Sequence, residues 1–182
     1  MQCPDLYPVS TNGEAGLDTC FTNEDCHHVL KASFDDSFLD YYAIGTYSQA
    51  NETWAPLDSR IDVENGLRYD YGKFYASKTF FDPSTRRRIL WGWVNESDSQ
   101  YDDISKGWAS VQAIPRVVSL DRSTGMQLVM EPVEELKLLR GSHLHDADIT
   151  LKKGTKKLIE DFSSMQVMSN LKAFKIMQAV VN

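Results

Sequence analysis

Apolar and polar residues alternate along most of this chain in short stretches, separated by turns rich in Asp, Pro, Ser, Thr and Gly. Neighbouring side chains on a strand point to opposite faces of a sheet, so this period of two predicts half-buried β-strands. The predicted strands cover residues 29–34, 41–47, 70–81, 89–94, 109–120 and 127–130, and residues 1–28 are predicted as a strand end followed by a loop. Such a succession is typical of a sandwich, a barrel or a propeller.

Three local patterns within these strands and turns lead to specific predictions. Residues 82–85 (Asp-Pro-Ser-Thr) and 121–125 (Asp-Arg-Ser-Thr-Gly) are predicted turns, because Asp and Ser hydrogen-bond the local backbone. The acidic segment 96–103 is predicted as a loop. In the strand at 89–94, Gly92 has no side chain, so a large group can lie close against that face of the sheet.

The pattern changes after residue 132. Residues 133–140 contain helix formers and end at Gly141, a predicted helix C-cap. Residues 141–154 form a polar connector, at which an all-β domain could give way to a second domain. Residues 156–182 contain no proline and show helix-like spacing, which predicts either a short amphipathic helix or a sequence foreign to the preceding fold.

Charge and hydropathy narrow the classes of partner. The net charge of −7 provides no basic surplus to neutralise phosphates, so no nucleic-acid partner is expected. No stretch of about 18 apolar residues is present, so no membrane span is expected. Polar residues and a proline follow Met1 directly, which predicts no signal peptide. Asn51 and Asn95 nevertheless begin N-glycosylation patterns, which are short and have meaning only in a secreted chain.

The three cysteines do not define a disulfide pattern. Cys20 and Cys26 could close a small loop, and an odd number leaves at least one thiol free in a single chain. His27 and His28 follow Cys26, but adjacent residues on an extended chain point to opposite faces. We therefore predict neither a metal site nor a cofactor.

Aromatic residues are concentrated in residues 68–98, interspersed with fixed charges and short polar turns. Flat aromatic faces stack on sugar rings and polar groups fix sugar hydroxyls, so this composition is compatible with a carbohydrate-binding sheet. Composition alone indicates only a β-rich protein that could bind carbohydrate.

Seven segments carry a more specific resemblance. They are CPDLYPV, HVLKASFDD, DYYAIGTY, RYDYGKFYASKTFFD, RRRILWGWVNESD, DDISKGWASVQAIPR and VEELKLLRG, all within residues 1–154. In this order they resemble plant acid invertases and fructan exohydrolases of glycoside hydrolase family 32, closest to the cell-wall type. The resemblance implies the later blades of a five-bladed β-propeller (1–132), a linker helix and the start of a β-sandwich (133–154), and a divergent tail (155–182).

Members of this family cleave terminal β-fructosyl units from sucrose or fructans with retention of configuration. Retention requires a nucleophilic carboxylate and a second carboxyl group that acts as acid and then as base. The family's nucleophile motif Asn-Asp-Pro-Asn and its stabilising Arg-Asp-Pro motif do not occur in these 182 residues. The resemblance places Gln2 where the family has its acid/base glutamate, and loss of such a group costs about 10²- to 10⁴-fold in rate.

The chain as given is therefore expected to be inactive in hydrolysis. Two alternatives stay open, a non-catalytic carbohydrate-binding protein similar to invertases and a truncated product without function. The resemblance also implies secretion to the cell wall, with the vacuole as the alternative. An incomplete propeller would leave strand edges at which chains could pair or aggregate.

The resemblance also implies a substrate pocket. Asp35 falls where invertases have an aspartate that favours sucrose, but the lysine expected three residues later is Phe38. Sucrose preference is therefore not carried over. Tyr75 and Lys78 match pocket-lining positions, with a core aromatic and a structural ion pair as the respective alternatives.

Overall fold

The computed structural model of the protein describes residues 1–141, which form two antiparallel β-sheets and two short helical segments. The all-β prediction is confirmed for these residues. Of the segment 133–154, predicted as a linker helix and the start of a β-sandwich, residues 142–154 lie outside the described residues, as does the predicted tail at 155–182.

The first sheet follows the order of its strands in the chain. It consists of β1 (Gln2–Ser10), β2 (Cys26–Phe34), β3 (Leu39–Ser48), β4 (Thr53–Pro56) and the short β5 (Leu67–Arg68). The sheet order is β1-β2-β3-β4, and β5 also pairs with β3. The predicted strands 29–34 and 41–47 lie within β2 and β3, whereas β1 is a full strand where only a strand end was predicted.

The second sheet has a similar plan. It consists of β6 (Phe74–Asp82), β7 (Arg87–Val94), the short β8 (Val111–Gln112), β9 (Arg116–Leu120) and β10 (Leu128–Pro132). Its order is β10-β9-β7-β6, and β8 also pairs with β7. Each sheet is therefore a meander of four main strands, in which each main strand pairs with the next one.

A short helix, α1 (Gln100–Lys106), occupies part of the segment predicted as a loop, so that prediction is wrong. Ser99 caps its N-terminus by accepting a hydrogen bond from the Asp102 amide, and the Asp102 side chain accepts one from the Ser99 amide. Gly107 ends the helix with φ of 80°, a left-handed conformation that glycine adopts without steric cost. The capping pattern was present in the sequence and overlooked.

The second helical segment is a 3₁₀ helix at Glu134–Leu139, inside the predicted helix. It ends at Arg140, whose backbone is extended with φ of −75°. The predicted C-cap at Gly141 is wrong, because the C-cap is Arg140 and Gly141 does not have a positive φ.

The core lies between the two sheets and draws residues from both. Its members are Tyr7, Val9, Val29, Tyr42, Ile44, Tyr69, Phe74, Leu90, Ala113, Val118, Leu120 and Leu128. Phe74 lies against Gly92, where a Cβ atom would be only 2.2 Å from the Phe74 Cζ. The prediction that a large group approaches Gly92 is confirmed.

Two turns of the second sheet share one construction. Asp82 Oδ1 accepts from the amide of Ser84 at 3.0 Å, and Asp121 Oδ1 accepts from the amide of Ser123 at 2.9 Å. The residue four positions after each aspartate is left-handed, with φ of 52° at Arg86 and 65° at Gly125. Both predicted turns are confirmed.

All three cysteines are free thiols, so residues 20 and 26 do not form the small disulfide loop that the sequence left open. Within residues 1–141, no helix combines the length and the apolar character needed to cross a bilayer. The prediction that strand edges pair with other chains stays a prediction.

Candidate functional site

Two bulged strands, β1 and β6, meet between the sheets. The β1 register with β2 shifts between Gln2 and Asp5, and the β6 register with β7 shifts between Tyr75 and Lys78. A bulge disrupts the ladder locally and re-aims side chains. The Thr79 amide of β6 donates to Asp5 Oδ2 of β1 at 2.7 Å, which ties the two strands together.

Next to these bulges, three predicted site residues lie side by side. The Tyr75 hydroxyl lies 2.8 Å from Asp35 Oδ1 and 3.5 Å from Gln2 Oε1. A phenol has one proton, so the shorter contact identifies Asp35 as its acceptor. Gln2 comes from β1, Asp35 from the turn between β2 and β3, and Tyr75 from β6. These three residues are called the site cluster below.

The site cluster combines a buried hydroxyl with two exposed polar side chains. Tyr75 is 4% exposed, whereas Gln2 and Asp35 are exposed. Burial, followed by the hydrogen bond from Tyr75 to the Asp35 carboxylate, raises the pKa of Tyr75 to about 12. Tyr75 therefore keeps its proton at neutral pH and acts as a hydrogen-bond donor.

Phe38 forms an aromatic border to the site cluster. Its ring centroid lies 5.4 Å from that of Tyr75 in an edge-on arrangement, and Phe38 is 49% exposed. Its backbone is left-handed, with φ of 52°, in the turn that also contains Asp35. The cluster therefore has an apolar, solvent-facing ring beside its carboxylate.

A buried polar network joins the strands that support the site cluster. The Lys31 ammonium lies 3.1 Å from Asp40 Oδ2, 2.7 Å from Ser33 Oγ, 2.6 Å from the Ser77 carbonyl and 3.2 Å from the Cys3 carbonyl. Burial lowers the pKa of Lys31, and the Asp40 carboxylate opposes this shift. The sequence prediction missed this network, although a lysine within the apolar strand HVLKASF was its signal.

Residues 1–132 match the Glycosyl hydrolases family 32 N-terminal domain. The chain belongs to glycoside hydrolase family 32. This confirms the resemblance drawn from the seven sequence segments. The N-terminal domain of the family is a β-propeller, so the two meandering sheets are propeller blades.

Named relatives in the family come from several plants. The chain is 51% identical over 154 residues to acid β-fructofuranosidase 1, vacuolar, of a Rosa hybrid cultivar, covering 85% of this chain and 26% of that protein. It is 51% identical over 153 residues to β-fructofuranosidase, insoluble isoenzyme 2, of Daucus carota, covering 84% of this chain and 26% of that protein. The chain thus spans about a quarter of the length of these relatives.

A solved structure of fructan 1-exohydrolase IIa from Cichorium intybus also resembles the chain. Identity is 50% and the TM-score is 0.71, with 78% of this chain and 26% of that chain covered. A glutamate-to-glutamine variant of the same enzyme has been solved in complex with 1-kestose, at 49% identity and a TM-score of 0.71. This similarity supports the propeller assignment of the family 32 chain.

Lys78 is not joined to the site cluster by the contacts of the described residues. Its ammonium lies 3.6 Å from Asp5 Oδ1 and donates to the Pro4 carbonyl, and its side chain is 57% exposed. These contacts correspond to the structural ion pair that the sequence left as the alternative. A substrate contact for Lys78 stays a prediction.

Within residues 1–141, the carboxylates of Glu96, Asp98 and Asp103 lie close enough together to share a cation. The Lys106 ammonium lies 2.5 Å from Glu96 Oε1, 2.5 Å from Asp98 Oδ2 and 3.1 Å from Asp103 Oδ1. Desolvation lowers the pKa of Lys106, but the three carboxylates outweigh it and raise the pKa overall. The lysine therefore lies where a cation would bind and offsets part of the negative charge of this group.

The two glycosylation candidates differ in accessibility. Asn51 is exposed in the turn between β3 and β4, whereas Asn95 directly follows β7 and is half-buried. The Asn95 amide also donates to the Lys73 carbonyl at 2.9 Å. Asn51 is therefore the more accessible acceptor, and glycosylation at either position stays a prediction.

Proposed function

We propose that this family 32 chain forms one wall of a binding site for terminal β-fructosyl groups, in a protein whose reaction is hydrolysis of sucrose or fructans. The observation that carries the proposal is the hydrogen bond from Tyr75 to Asp35 beside Gln2. With the Tyr75 proton committed to Asp35, the Gln2 amide group supplies N–H donors and the Asp35 carboxylate supplies an acceptor, so the cluster offers a sugar both kinds of hydrogen-bonding partner.

The proposed role of Gln2 is to bind at the acid/base position without transferring a proton. An amide donates and accepts hydrogen bonds but does not supply the proton that a leaving fructoside requires. These 182 residues also contain no Asn-Asp-Pro-Asn segment from which the family nucleophile could come. A polypeptide limited to these residues is therefore proposed to bind β-fructosides and not to cleave them.

The glutamate-to-glutamine variant of the chicory enzyme supports this separation of binding from cleavage. That variant holds 1-kestose in its solved structure. An amide in place of one carboxyl group is thus compatible with substrate binding in this family. A non-catalytic carbohydrate-binding protein is accordingly the second candidate function, and Gln2 is the residue that favours it.

Asp35 and Phe38 are proposed to hold the sugar next to the fructosyl unit. Tyr75 bonds Oδ1 of Asp35, which leaves Oδ2 of this exposed side chain to accept from a sugar hydroxyl. The exposed ring of Phe38 offers a flat apolar face for stacking. Sucrose and fructan oligomers both present such groups, so the substrate class is proposed at that level.

We further propose a destination in the secretory pathway, at the cell wall or in the vacuole. The rose relative is named vacuolar and the carrot relative is named an insoluble isoenzyme. The exposed Asn51 would carry a glycan in either compartment. Loss of a mass shift in an Asn51→Gln variant expressed in plant cells would test this step.

Binding is tested by calorimetry of the purified 182-residue chain with 1-kestose, sucrose and, as an unrelated sugar, maltose. We expect saturable binding of 1-kestose or sucrose and none of maltose. Tyr75→Phe keeps the ring but removes the hydrogen bond that holds the Asp35 carboxylate, so affinity should fall roughly tenfold, the usual worth of a hydrogen bond to a charged group. Tyr101→Phe makes the same chemical change on exposed α1 and should leave affinity unchanged.

Two results would count against the proposal. If the chain unfolds cooperatively, and is therefore folded, but shows no saturable binding of either sugar, the proposed binding site does not exist. Fructose release by the clean chain, or a gain of hydrolysis in Gln2→Glu, would show that the assignment of catalytic groups is wrong.

A further inference from the structure

Each residue of the site cluster lies within two positions of a group that contacts the Lys31 ammonium. Cys3 follows Gln2 directly, Ser33 precedes Asp35 by two positions, and Ser77 follows Tyr75 by two positions. One buried side chain therefore contacts all three segments that supply the site. This arrangement distinguishes Lys31 from an ordinary buried ion pair, which joins two positions.

We infer that Lys31 is a positioning residue for the candidate site, holding the bulged segments of β1 and β6 so that Gln2 lies beside Tyr75. The expected effect of Lys31 on sugar binding rests on the proposed function. The arrangement of Gln2 and Tyr75 that it maintains can be measured without a ligand. Lys31 itself is fully buried and contacts no solvent, so its role is exerted through its neighbours.

The bulges explain why a cation is needed at this place. Cys3 and Ala76 adopt left-handed backbone conformations, with φ of 43° and 52°, which residues with a Cβ atom adopt only at a cost in free energy. A bulged segment also leaves the regular hydrogen-bonding ladder and needs other partners for its carbonyl groups. Lys31 donates to the carbonyls of Cys3 and Ser77, which belong to the two bulges.

Asp40 completes the arrangement. Its Oδ1 accepts from the Ser33 hydroxyl at 2.5 Å, and its Oδ2 accepts from the Ser77 amide at 2.9 Å. The same carboxylate balances the Lys31 charge at 3.1 Å. The main chain at Ser77 is thus held twice, by Lys31 at its carbonyl and by Asp40 at its amide.

Arg88 provides a matched comparison. It is also a buried cation between the sheets, at 2% exposure, but it bonds the Leu17 carbonyl at 3.1 Å and the Thr19 and Thr79 hydroxyls at 2.9 and 3.1 Å. None of these partners lies in the site cluster or in the two bulges. Replacing Arg88 should therefore disturb the fold without selectively disturbing the site.

The test compares Lys31→Met with Arg88→Met in the full 182-residue chain. Methionine keeps an unbranched side chain and removes the charge. The first readout is the cross-relaxation peak in NMR spectra between the Gln2 side-chain amide and the Tyr75 ring, recorded without ligand. The second is the affinity for 1-kestose, and the third is the midpoint of urea unfolding.

We expect Lys31→Met to lose the Gln2–Tyr75 peak and to weaken 1-kestose binding roughly tenfold, as for one lost hydrogen bond to a charged group. Arg88→Met should lower the unfolding midpoint but keep the peak and the affinity. Equal losses in both variants, or a retained peak in Lys31→Met, would overturn the inference. A native chain that shows the peak but binds no sugar would refute the proposed function and leave the positioning role intact.

If Lys31→Met does not fold, Asp40→Asn serves as the second variant, because it keeps the shape of the side chain and removes the charge that balances the ammonium. A weakened Gln2–Tyr75 peak is expected, and an unchanged peak counts against the inference. If that variant also fails to fold, the inference is tested by NMR spectra of the native chain. Lys31 ammonium protons must then give peaks to protons of residues 3 and 77, and their absence would overturn the inference.

Discussion

Phe74 and Lys31 lie in two contrasting regions of the space between the sheets. Phe74 packs on Gly92 and belongs to an apolar cluster, where each side chain contributes by filling volume. Lys31 and Asp40 are equally inaccessible, at 0% and 2% exposure, but they contribute only as long as every polar partner is present. The apolar region joins the blades, and the polar region supports the site cluster.

The difference lies in how each region responds to change. An apolar core accepts substitutions that conserve volume, usually at less than about 1.5 kcal/mol. A buried ion pair that loses one partner leaves a charge without compensation, which costs about 3–5 kcal/mol. The region near the site should therefore be less tolerant of single substitutions and more tolerant of paired ones.

Asp40→Ala should give the largest effect. It leaves the Lys31 ammonium, the Ser33 hydroxyl and the Ser77 amide without their common acceptor, so the free energy of unfolding should fall by about 3–5 kcal/mol. Urea unfolding measures this change. The double variant Lys31→Met with Asp40→Ala should be more stable than Asp40→Ala alone.

The control for that experiment is Asp36→Ala, in the exposed turn between β2 and β3. It should change the free energy of unfolding by no more than about 0.5 kcal/mol. If Asp40→Ala changes the free energy of unfolding by an equally small amount, the buried polar region tolerates substitution as well as an exposed turn does. The contrast between the polar and apolar regions would then be wrong.

Gly92→Ala should give the next largest effect, in the apolar region. The added Cβ would lie 2.2 Å from the Phe74 ring, so overpacking should lower the free energy of unfolding by about 1–3 kcal/mol. Phe74→Leu in the same chain makes room for the methyl group, and the double variant should lose less than the sum of the two single losses. Additive losses would mean that the clash is not relieved there.

The ionisation of Tyr75 should make the stability of the site cluster depend on pH. Its pKa is raised to about 12 from an ordinary value of 10.0, first by burial and then by Asp35. The folded state therefore retains the proton more strongly than the unfolded state, so this contribution to stability is present below about pH 10 and lost as pH rises toward 12. Absorbance titration of tyrosinate, with Tyr75→Phe to assign the signal, checks the pKa.

Asp35→Asn removes the neighbouring charge from the same hydroxyl. The pKa of Tyr75 should then move back toward its ordinary value, since one of its two main causes is gone. An unchanged titration in Asp35→Asn would mean that burial alone accounts for the shift, and that the carboxylate contributes little to the electrostatics of the site.

Asp82→Asn should give the smallest change in stability, because Asp82 lies in a turn away from both the apolar and the polar region. Hydrogen bonds from Ser84 and then Thr85 lower the pKa of Asp82 to about 2 from 3.8. Its contribution to stability is therefore present above about pH 4 and is lost as pH falls toward 2. The difference in melting temperature between native chain and Asp82→Asn should shrink over this interval, and Asp121→Asn in the similar turn should behave alike.

The sequence was sufficient for features that depend on neighbouring residues. Alternation located β2, β3 and β7, and the Asp-Ser-Thr turns and the open face at Gly92 followed from local chemistry. The short helix α1 was missed because its acidic residues suggested a loop, although Ser99 and Asp102 form a recognisable capping pair. Local patterns were therefore informative wherever local hydrogen bonds decide the structure.

The site could be predicted only in part. Resemblance to the family identified Gln2, Asp35 and Tyr75, which the structure brings into one cluster. It also selected Lys78, which pairs with Asp5 and whose contact with substrate stays a prediction. The bulges could not be predicted, because they depend on hydrogen bonds between residues far apart in the sequence, such as those from Lys31 to the carbonyls of Cys3 and Ser77, 28 and 46 positions away. Only the charge within the strand of Lys31 hinted at them.

The meander of each sheet has a consequence for synthesis on the ribosome. In the first sheet, β2, β3 and β4 each pair with the main strand synthesised just before them. This sheet can therefore form its hydrogen bonds while the second sheet is still being translated. At that stage Lys31 already has Asp40 and Ser33 within reach, whereas Ser77 has not yet emerged from the exit tunnel. A nascent chain of which only the residues before Phe74 have left the exit tunnel should therefore contain a paired lysine that still lacks its contacts with the second sheet.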